Sequence, residues 1–309
     1  MASSDAYTAT VRLLLRVLPV LQGQQVFALK GGTAINLFHQ DLPRLSVDID
    51  LAYLGVNSRA QALAEIHTEL SRMAGVLTGQ GLQVRGTPLT GSPGSGEWIK
   101  LVVSDGRAQV KVEVSPVLRG AVFPAEVRQT SPAVQARFGF AEVPVLALPD
   151  LYAGKLVAAL DRQHPRDLFD VHHFLGQGLY TREVHLAFLV YLISHGRPIH
   201  EVLRPNLKDI RGEYDRAFKG MAEEDIPITT LEQARSDLIQ VIHASLTDDD
   251  RAFLLNVAAG EPEWDRLPLP GVANLPAVQW KLHNIGRMTG AKKDDALQRL
   301  REALTAPKA

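Results

Sequence analysis

The chain has 309 residues, 46% of them hydrophobic, enough to bury a sizeable core in one large domain or two modest ones. Its formal net charge of -1 gives no global attraction to nucleic acid or membrane, so an anionic partner has to be held by a local patch. There is no cysteine, which excludes disulfides, thiolate nucleophiles and zinc–thiolate sites.

Residues 5–21 carry Val11, Leu14, Leu15 and Leu18 at helical spacing and predict an opening amphipathic helix. Arg12 and Arg16 interrupt that apolar run and no small-residue cleavage site follows it, so it does not read as a signal peptide. "QVFAL" predicts a short buried strand ending at Lys30; Gly31 and Gly32 break it, and "TAINLFHQ" predicts a helix starting at Thr33. "LSVDIDLAYL" alternates as a strand that buries Val47, Ile49 and Leu51. "SRAQALAEIHTELSRMAGVL" follows as a long helix, "LQVRG" as a strand and "GTPLTGSPGSG" as a polar, flexible loop. "EWIKLVVS" and "AQVKVEVS" then read as two strands joined at Asp105-Gly106, a hairpin turn signal.

Beyond "VPVLALPD" the periodicity becomes helical and no convincing strand remains. The shift near residue 145 predicts an α/β (α+β) domain with a mixed twisted sheet over residues 1–145, followed by an all-helical domain over 146–309. "AFLVYLIS", near residue 190, is far too short to span a bilayer, and the chain reads as a soluble cytoplasmic protein with no membrane partner. The end, "MTGAKKDDALQRLREALTAPKA", reads as a charged helix with a loose tail.

Two stretches carry more than folding requires. In the first, Asp48 and Asp50 alternate onto one side of a strand, where two carboxylates repel unless a cation sits between them. Magnesium suits that spacing, because it takes hard oxygen ligands and one or two carboxylates together with substrate phosphates. Glu113, on the polar phase of "VKVEVS" with Lys111, is the natural third acid if its strand neighbours that of Asp48. Gly31 and Gly32 allow close backbone approach, and the helix after them aims free N–H groups at the same spot, as a phosphate prefers. Thr33 adds a hydroxyl there, as an N-cap or a phosphate ligand.

The second stretch is "PDLYAGKLVAALDRQHPRDLFDVHHFL", Pro149 to Leu175, in which Asp150 reads as a helix cap. Lys155 and Arg162 fall two turns apart on one helix face, and Pro165 suits the first turn of the next helix. A lysine with Arg162 and Arg166 would neutralise charge developing on phosphates. Each also has a plain structural reading: Asp167 as an acid favoured in a first helical turn, Arg166 and Asp170 as an i,i+4 ion pair, and His172 and His173 as ordinary helix residues.

The order of glycine turn, helix, strand-borne Asp-x-Asp and later strand-borne acid resembles the polymerase-β-type nucleotidyltransferase superfamily. "KGGTAI", "SVDID" and "KLVAALDRQHPRDLFD" are similar, more specifically, to AbiEii-type (MenT-like) nucleotidyltransferase toxins of type IV toxin–antitoxin systems. The similarity covers roughly residues 27–175; Thr33 replaces the serine of many superfamily members and Glu113 the more usual aspartate. The resemblance implies Asp48, Lys155 and Asp170 as catalytic residues, and Asp48, Asp50 and Glu113 as ligands of Mg²⁺ or Mn²⁺. Lys30, Gly31, Gly32, Thr33, Ser46, Arg162, Arg166 and Asp167 would bind the nucleotide. Lys155 would hold the triphosphate, and Asp170 would orient Lys155 or activate the acceptor. Ser46 matches a position that relatives can modify, and reads otherwise as a solvent-facing strand serine.

The implied reaction moves NMP from an NTP with loss of pyrophosphate, the acceptor being the 3′ end of tRNA. An antitoxin encoded nearby, acting without a tight complex, is implied as well. The chemistry itself leaves other acceptors open: a protein hydroxyl, a small molecule such as an antibiotic, or water, the last making a nuclease. A catalytically inactive nucleotide-binding module is a further reading. The sequence offers only modest basic patches for RNA, six bases against four acids over residues 195–219 and six against three from Arg287 to Ala309.

Overall fold

The computed structural model describes residues 2–88 and 96–305. Most of the predicted flexible loop, residues 89–95, and the predicted loose tail, residues 306–309, lie outside the described residues. The chain forms two compact units, Met1–Ala147 and Leu148–Ala309.

The first unit opens with helix α1 (Ala2–Val17), which buries Val11, Leu14 and Leu15. Pro19 cannot continue the helical ladder, and the chain tightens into a 3-10 turn over Leu18–Leu21. Strand β1 (Phe27–Lys30) leads into a short helix α2 (Gly31–Ala34), which widens into a π turn over Ile35–His39. Strand β2 (Ile49–Tyr53) returns antiparallel to β1. Helix α3 (Arg59–Gly79) starts at a capping box in which Ser58 and Gln61 each accept from the other's backbone N–H.

Strands β3 (Gln83–Pro88), β4 (Trp98–Ser104) and β5 (Gln109–Arg119) form an antiparallel set. The β4–β5 turn is fixed by the Asp105 carboxylate, which accepts from the backbone N–H of Arg107 and of Ala108 at 2.9 Å each. Strand β6 (Glu126–Gln129), helix α4 (Pro132–Phe138) and strand β7 (Glu142–Val145) complete the unit.

The seven strands lie in the order β3-β4-β5-β2-β1-β7-β6. The sheet is mixed, because β2 runs parallel to β5 and β1 parallel to β7. Helix α3 packs on β3, β4 and β5, and α1 packs on β5, over a face that includes the buried Val110, Val112 and Val114. Alternation then sends Lys111 and Glu113 to the opposite face, where both are exposed.

Three local expectations need correction. The helix after β1 begins at Gly31, not Thr33. Strand β2 begins at Ile49, so Asp48 precedes it and Val47 is only half-buried. The Thr33 hydroxyl donates to the Asp48 carbonyl at 2.5 Å, which engages that oxygen outside the sheet ladder. Asp150 does not cap a helix: it lies inside the first turn of α5 (Leu148–Arg162), buried, and accepts from the Tyr191 hydroxyl at 3.0 Å.

The second unit continues with α6 (Pro165–Gly176), α7 (Arg182–Ser194), α8 (Ile199–Leu203), α9 (Arg211–Ala217) and α10 (Ile228–Ser245). It closes with α11 (Asp248–Ala259), α12 (Pro276–Gly286) and α13 (Gly290–Leu304), and its described residues contain no strand. The apolar α7 is buried almost all round as a core helix. Among the described residues no helix is long and apolar enough to cross a membrane.

A buried acid fastens this unit. Asp250 is wholly buried, caps α11 with Thr247, takes both Arg182 guanidinium nitrogens at 2.7 and 2.8 Å, and meets His185 Nε2 at 3.3 Å. Burial pushes its carboxyl up, but bonds from His185, Arg182 and Thr247 outweigh burial and hold it well below the ordinary range. Asp250→Ala is expected to lower unfolding free energy by about 3–5 kcal/mol, since it leaves buried donors unmatched. In the native chain this stabilisation is present above the unfolded carboxyl pKa of about 3.9 and is lost as pH falls through the lower folded value. Denaturant titration of both proteins from pH 7 to pH 3 checks this; an Asp250→Ala midpoint equal to native at pH 7 would show the cluster to be dispensable.

Candidate functional site

In the first unit the candidate residues gather where β1, β2 and β5 run side by side. Lys30 on β1 is the register partner of Asp50 on β2, and Asp50 is the register partner of Glu113 on β5. Glu113 in turn opposes Lys100 on β4. Register partners share a face, so Lys30, Asp50, Glu113 and Lys100 form one charged row across four strands. Lys100 Nζ closes on Glu113 Oε2 at 3.0 Å. Burial pulls the Lys30 ammonium below its ordinary pKa, against the pull of Asp50 and Glu113.

The two glycines sit against this row. Gly31 has φ +77°, a backbone region that glycine enters without strain, and a Cβ there would lie 2.7 Å from Asp50 Oδ2. A Cβ on Gly32 would lie 2.7 Å from Arg44 Nη2 and 2.8 Å from Ser46 Oγ. The missing side chains therefore let a carboxylate, a guanidinium and a hydroxyl close onto the first turn of α2. Thr33 Oγ1 joins them, 3.1 Å from Ser46 Oγ. Arg44 is buried, with Nη1 donating to the Leu45 carbonyl at 2.9 Å. Asp48 ends the group with an exposed side chain and a backbone carbonyl tied to Thr33.

The three-carboxylate metal cluster expected from the sequence is not assembled in this arrangement. Among the described residues no three His, Asp or Glu side chains are grouped as metal ligands. Asp50 and Glu113 do share a face, but Lys100 occupies Glu113 and Asp48 lies outside the strand. Asp48 and Asp50 are the remaining acids whose oxygens could meet a hard cation, Asp50 beside the Lys30 ammonium. Two carboxylates suffice for magnesium that arrives with substrate phosphates.

The second unit holds the other set, at the α5–α6 turn. α5 stops at Arg162; Gln163 takes φ 52°, His164 accepts from the Arg166 N–H at 3.1 Å, and Pro165 begins α6. This turn folds α6 back so that Asp167 and Asp170, one turn apart, both meet α5. Lys155 Nζ lies 2.9 Å from Asp167 and 2.9 Å from Asp170, with all three side chains buried. Arg162 adds two bonds to Asp167, at 2.5 and 2.9 Å. Burial raises the Asp167 carboxyl, but Lys155 and Arg162 outweigh it and hold it well below the ordinary range. Asp167 is therefore more than an acid near a helix start, and Asp170 pairs with Lys155 on α5 at 2.9 Å. The Arg166 side chain is exposed. His173 packs on Phe169 with ring centroids 4.4 Å apart, as an ordinary helix residue does.

Sequence reasoning missed two residues of the first group. Arg44 is a lone base in a loop and carries no pattern. Lys100 had a signal: counting outward from the Asp105-Gly106 turn puts it opposite Glu113. Chemically, the first group offers amide, hydroxyl and guanidinium donors for an anion beside carboxylates for a cation. The second offers an ammonium held by two carboxylates.

Comparison with known proteins adds independent findings. The family model described as nucleotidyl transferase AbiEii toxin, type IV TA system, matches residues 12–284. Among solved structures, the chain is similar to MenT4, the nucleotidyltransferase toxin Rv2826c of Mycobacterium tuberculosis H37Rv. That match has a TM-score of 0.57 and 17% identity, and covers 96% of this chain and 92% of that one. No curated protein matches.

Proposed function

We propose, from the premise that this chain belongs to the AbiEii nucleotidyltransferase toxins of type IV toxin–antitoxin systems, that it transfers NMP from an NTP to the 3′ end of tRNA. A tRNA extended there cannot be charged, and translation stops. The observation that carries this reading is the Gly31–Gly32 turn, on which Asp50, Arg44 and Ser46 close together at a helix start.

In this mechanism Lys30, Ser46, Arg44 and the first amides of α2 bind the triphosphate, as helix starts do, and Thr33 supports them through its bonds to Ser46 and to the Asp48 carbonyl. Asp48 and Asp50 are the residues that would hold Mg²⁺ or Mn²⁺, with Glu113 as a reserve ligand engaged by Lys100. The bound cation supplies charge neutralisation on the phosphates and activation of the attacking hydroxyl. We take Asp48 as the central catalytic acid, as the family resemblance implies. The acceptor oxygen forms a bond to the α-phosphorus, the bond from the α-phosphorus to the bridging oxygen breaks, and pyrophosphate leaves with the electron pair. On the second unit we assign Lys155, Arg162 and Arg166 to phosphate charge, and Asp170 to orienting Lys155 or taking the acceptor proton, as the family resemblance implies. Asp167 fixes Lys155 and Arg162 in place. The substrates place the reaction in the cytoplasm, and a neighbouring antitoxin would restrain it without a tight complex.

The test is a gel of labelled tRNA after incubation with each of the four NTPs, with and without excess chelator. The expected result is an extended tRNA in the presence of metal and none with chelator. Shortened RNA, or label passing only to protein or to a small molecule, would reject the tRNA acceptor; full activity in chelator would reject the metal.

A further inference from the structure

Helix α12 presents a face that the transfer chemistry does not use. Its inner side is fixed: Ala277, Val278 and Ile285 are buried, and Lys281 donates to the carbonyls of His195 and Arg197 at 2.8 and 2.6 Å beyond the end of α7. On the outer side Trp280 is 60% exposed. Its indole is stacked on the His283 imidazole, with ring centroids 5.5 Å apart and an interplanar angle of 20°. Positions 280, 283, 284 and 287 recur at helical spacing, so Trp280, His283, Asn284 and Arg287 share one exposed face.

The helix that carries the indole has no acid of its own, while Glu201 acts on its Lys281 and Asp294 and Asp295 follow Lys293 on the next helix, which leaves the surroundings basic on balance. From Pro276 to Lys293 the chain has Lys281, Arg287, Lys292 and Lys293 and no acid. Lys281 is used internally, and Lys293 Nζ sits 3.7 Å from the Cβ position of Gly260, where it meets the end of α11. Arg287 and Lys292 are exposed, and among the described residues neither forms an ion pair with an acid. Met288, at 37% exposure, is the other exposed large apolar residue of this stretch. A protein interface of useful size would want a wider apolar core than one indole and one thioether. A polyanion whose units carry flat π faces wants what is here: a preset aromatic stack with Arg287 on the same face and Lys292 a few residues further along the chain.

We propose that the Trp280–His283 face of α12 docks an unstacked base of the RNA acceptor, with Arg287 and Lys292 on its flanking phosphates. This rests on the proposed RNA acceptor and adds a binding surface to it. Trp280 is a positioning residue for the acceptor and takes no part in the transfer itself.

The probes are a labelled single-stranded oligoribonucleotide and a tRNA transcript, titrated against the full chain by fluorescence anisotropy at several salt concentrations. Trp280→Ala is expected to weaken binding about tenfold, in line with loss of one base–aromatic stack. Trp280→Phe should retain most of the affinity. The double variant Arg287→Ala with Lys292→Ala should weaken binding and flatten the log–log salt dependence by about 1.4, for two single-strand phosphates. Melting curves like the native one are expected, since these side chains are exposed. Asp48→Ala should bind RNA as the native chain does, which separates docking from chemistry. If the native chain binds RNA but transfers no nucleotide, the transfer reading fails and this surface stands. Trp280→Ala binding both RNAs at native affinity overturns the proposal.

Discussion

Asp48→Ala is expected to abolish toxicity on expression and to lower nucleotidyl transfer by roughly 10²–10³-fold or more, the loss that follows when a charge-stabilising group leaves a reacting centre. The structure makes this substitution clean. The Asp48 side chain is exposed, so its removal opens no cavity and strands no buried partner. Its structural tie runs through the backbone carbonyl that accepts from Thr33, and alanine keeps that carbonyl. Stability should therefore stay within about 0.5 kcal/mol of native, as at other surface positions. A growth assay, a transfer assay and a denaturation curve on one pair of proteins settle the matter. Equal toxicity with equal expression would remove Asp48 from the chemistry. A lost activity accompanied by a lost fold would contradict the local geometry instead.

What could be read from the sequence tracks how local the determining physics is. Helices α1 and α3 and the β4–β5 hairpin were legible because period, cap and turn residue each lie within a few positions of one another. The start of β2 was not legible: Ser46 to Asp48 continue the alternation, but Thr33, far back in the chain, engages the Asp48 carbonyl. Strands β6 and β7, four residues each, are too short to show a period, and they form because they pair at the β1 edge of the sheet. The candidate site divides the same way. The motif residues Gly31, Gly32, Asp48 and Asp50 stand out in any reading of the chain. That Asp50 closes over Gly31, that Arg44 closes over Gly32, and that Lys100 holds Glu113 depends on register across the sheet, which no single segment encodes. The Lys155–Asp167–Asp170 cluster was half legible: the residues were singled out, but only the turn at Gln163 shows that one ammonium takes both acids.

Lys155→Ala should be inactive as well, for a reason that has to be separated from collapse of the fold. Lys155 is 8% exposed and Asp167 and Asp170 are more deeply buried, so the variant removes the one ammonium that bridges two buried carboxylates, while Arg162 stays on Asp167. Removing one member of such a cluster costs about 3–5 kcal/mol, enough to unfold a marginal unit. The sign with pH follows from Asp167. Its folded carboxyl is held below the ordinary range, so the cluster stabilises the chain above a pH of about 4 and loses that contribution as pH falls through the folded value. The discriminating protein is the double variant Lys155→Met with Asp170→Asn, which removes one positive and one negative charge and leaves Asp167 with Arg162. If the cluster serves only the fold, this variant should regain both stability and transfer. If Lys155 or Asp170 takes part in the chemistry, it should regain most of the stability while transfer stays at least about 10²-fold down. Transfer at native rates in the double variant would leave Lys155 as a structural ion and confine the chemistry to the residues around Gly31.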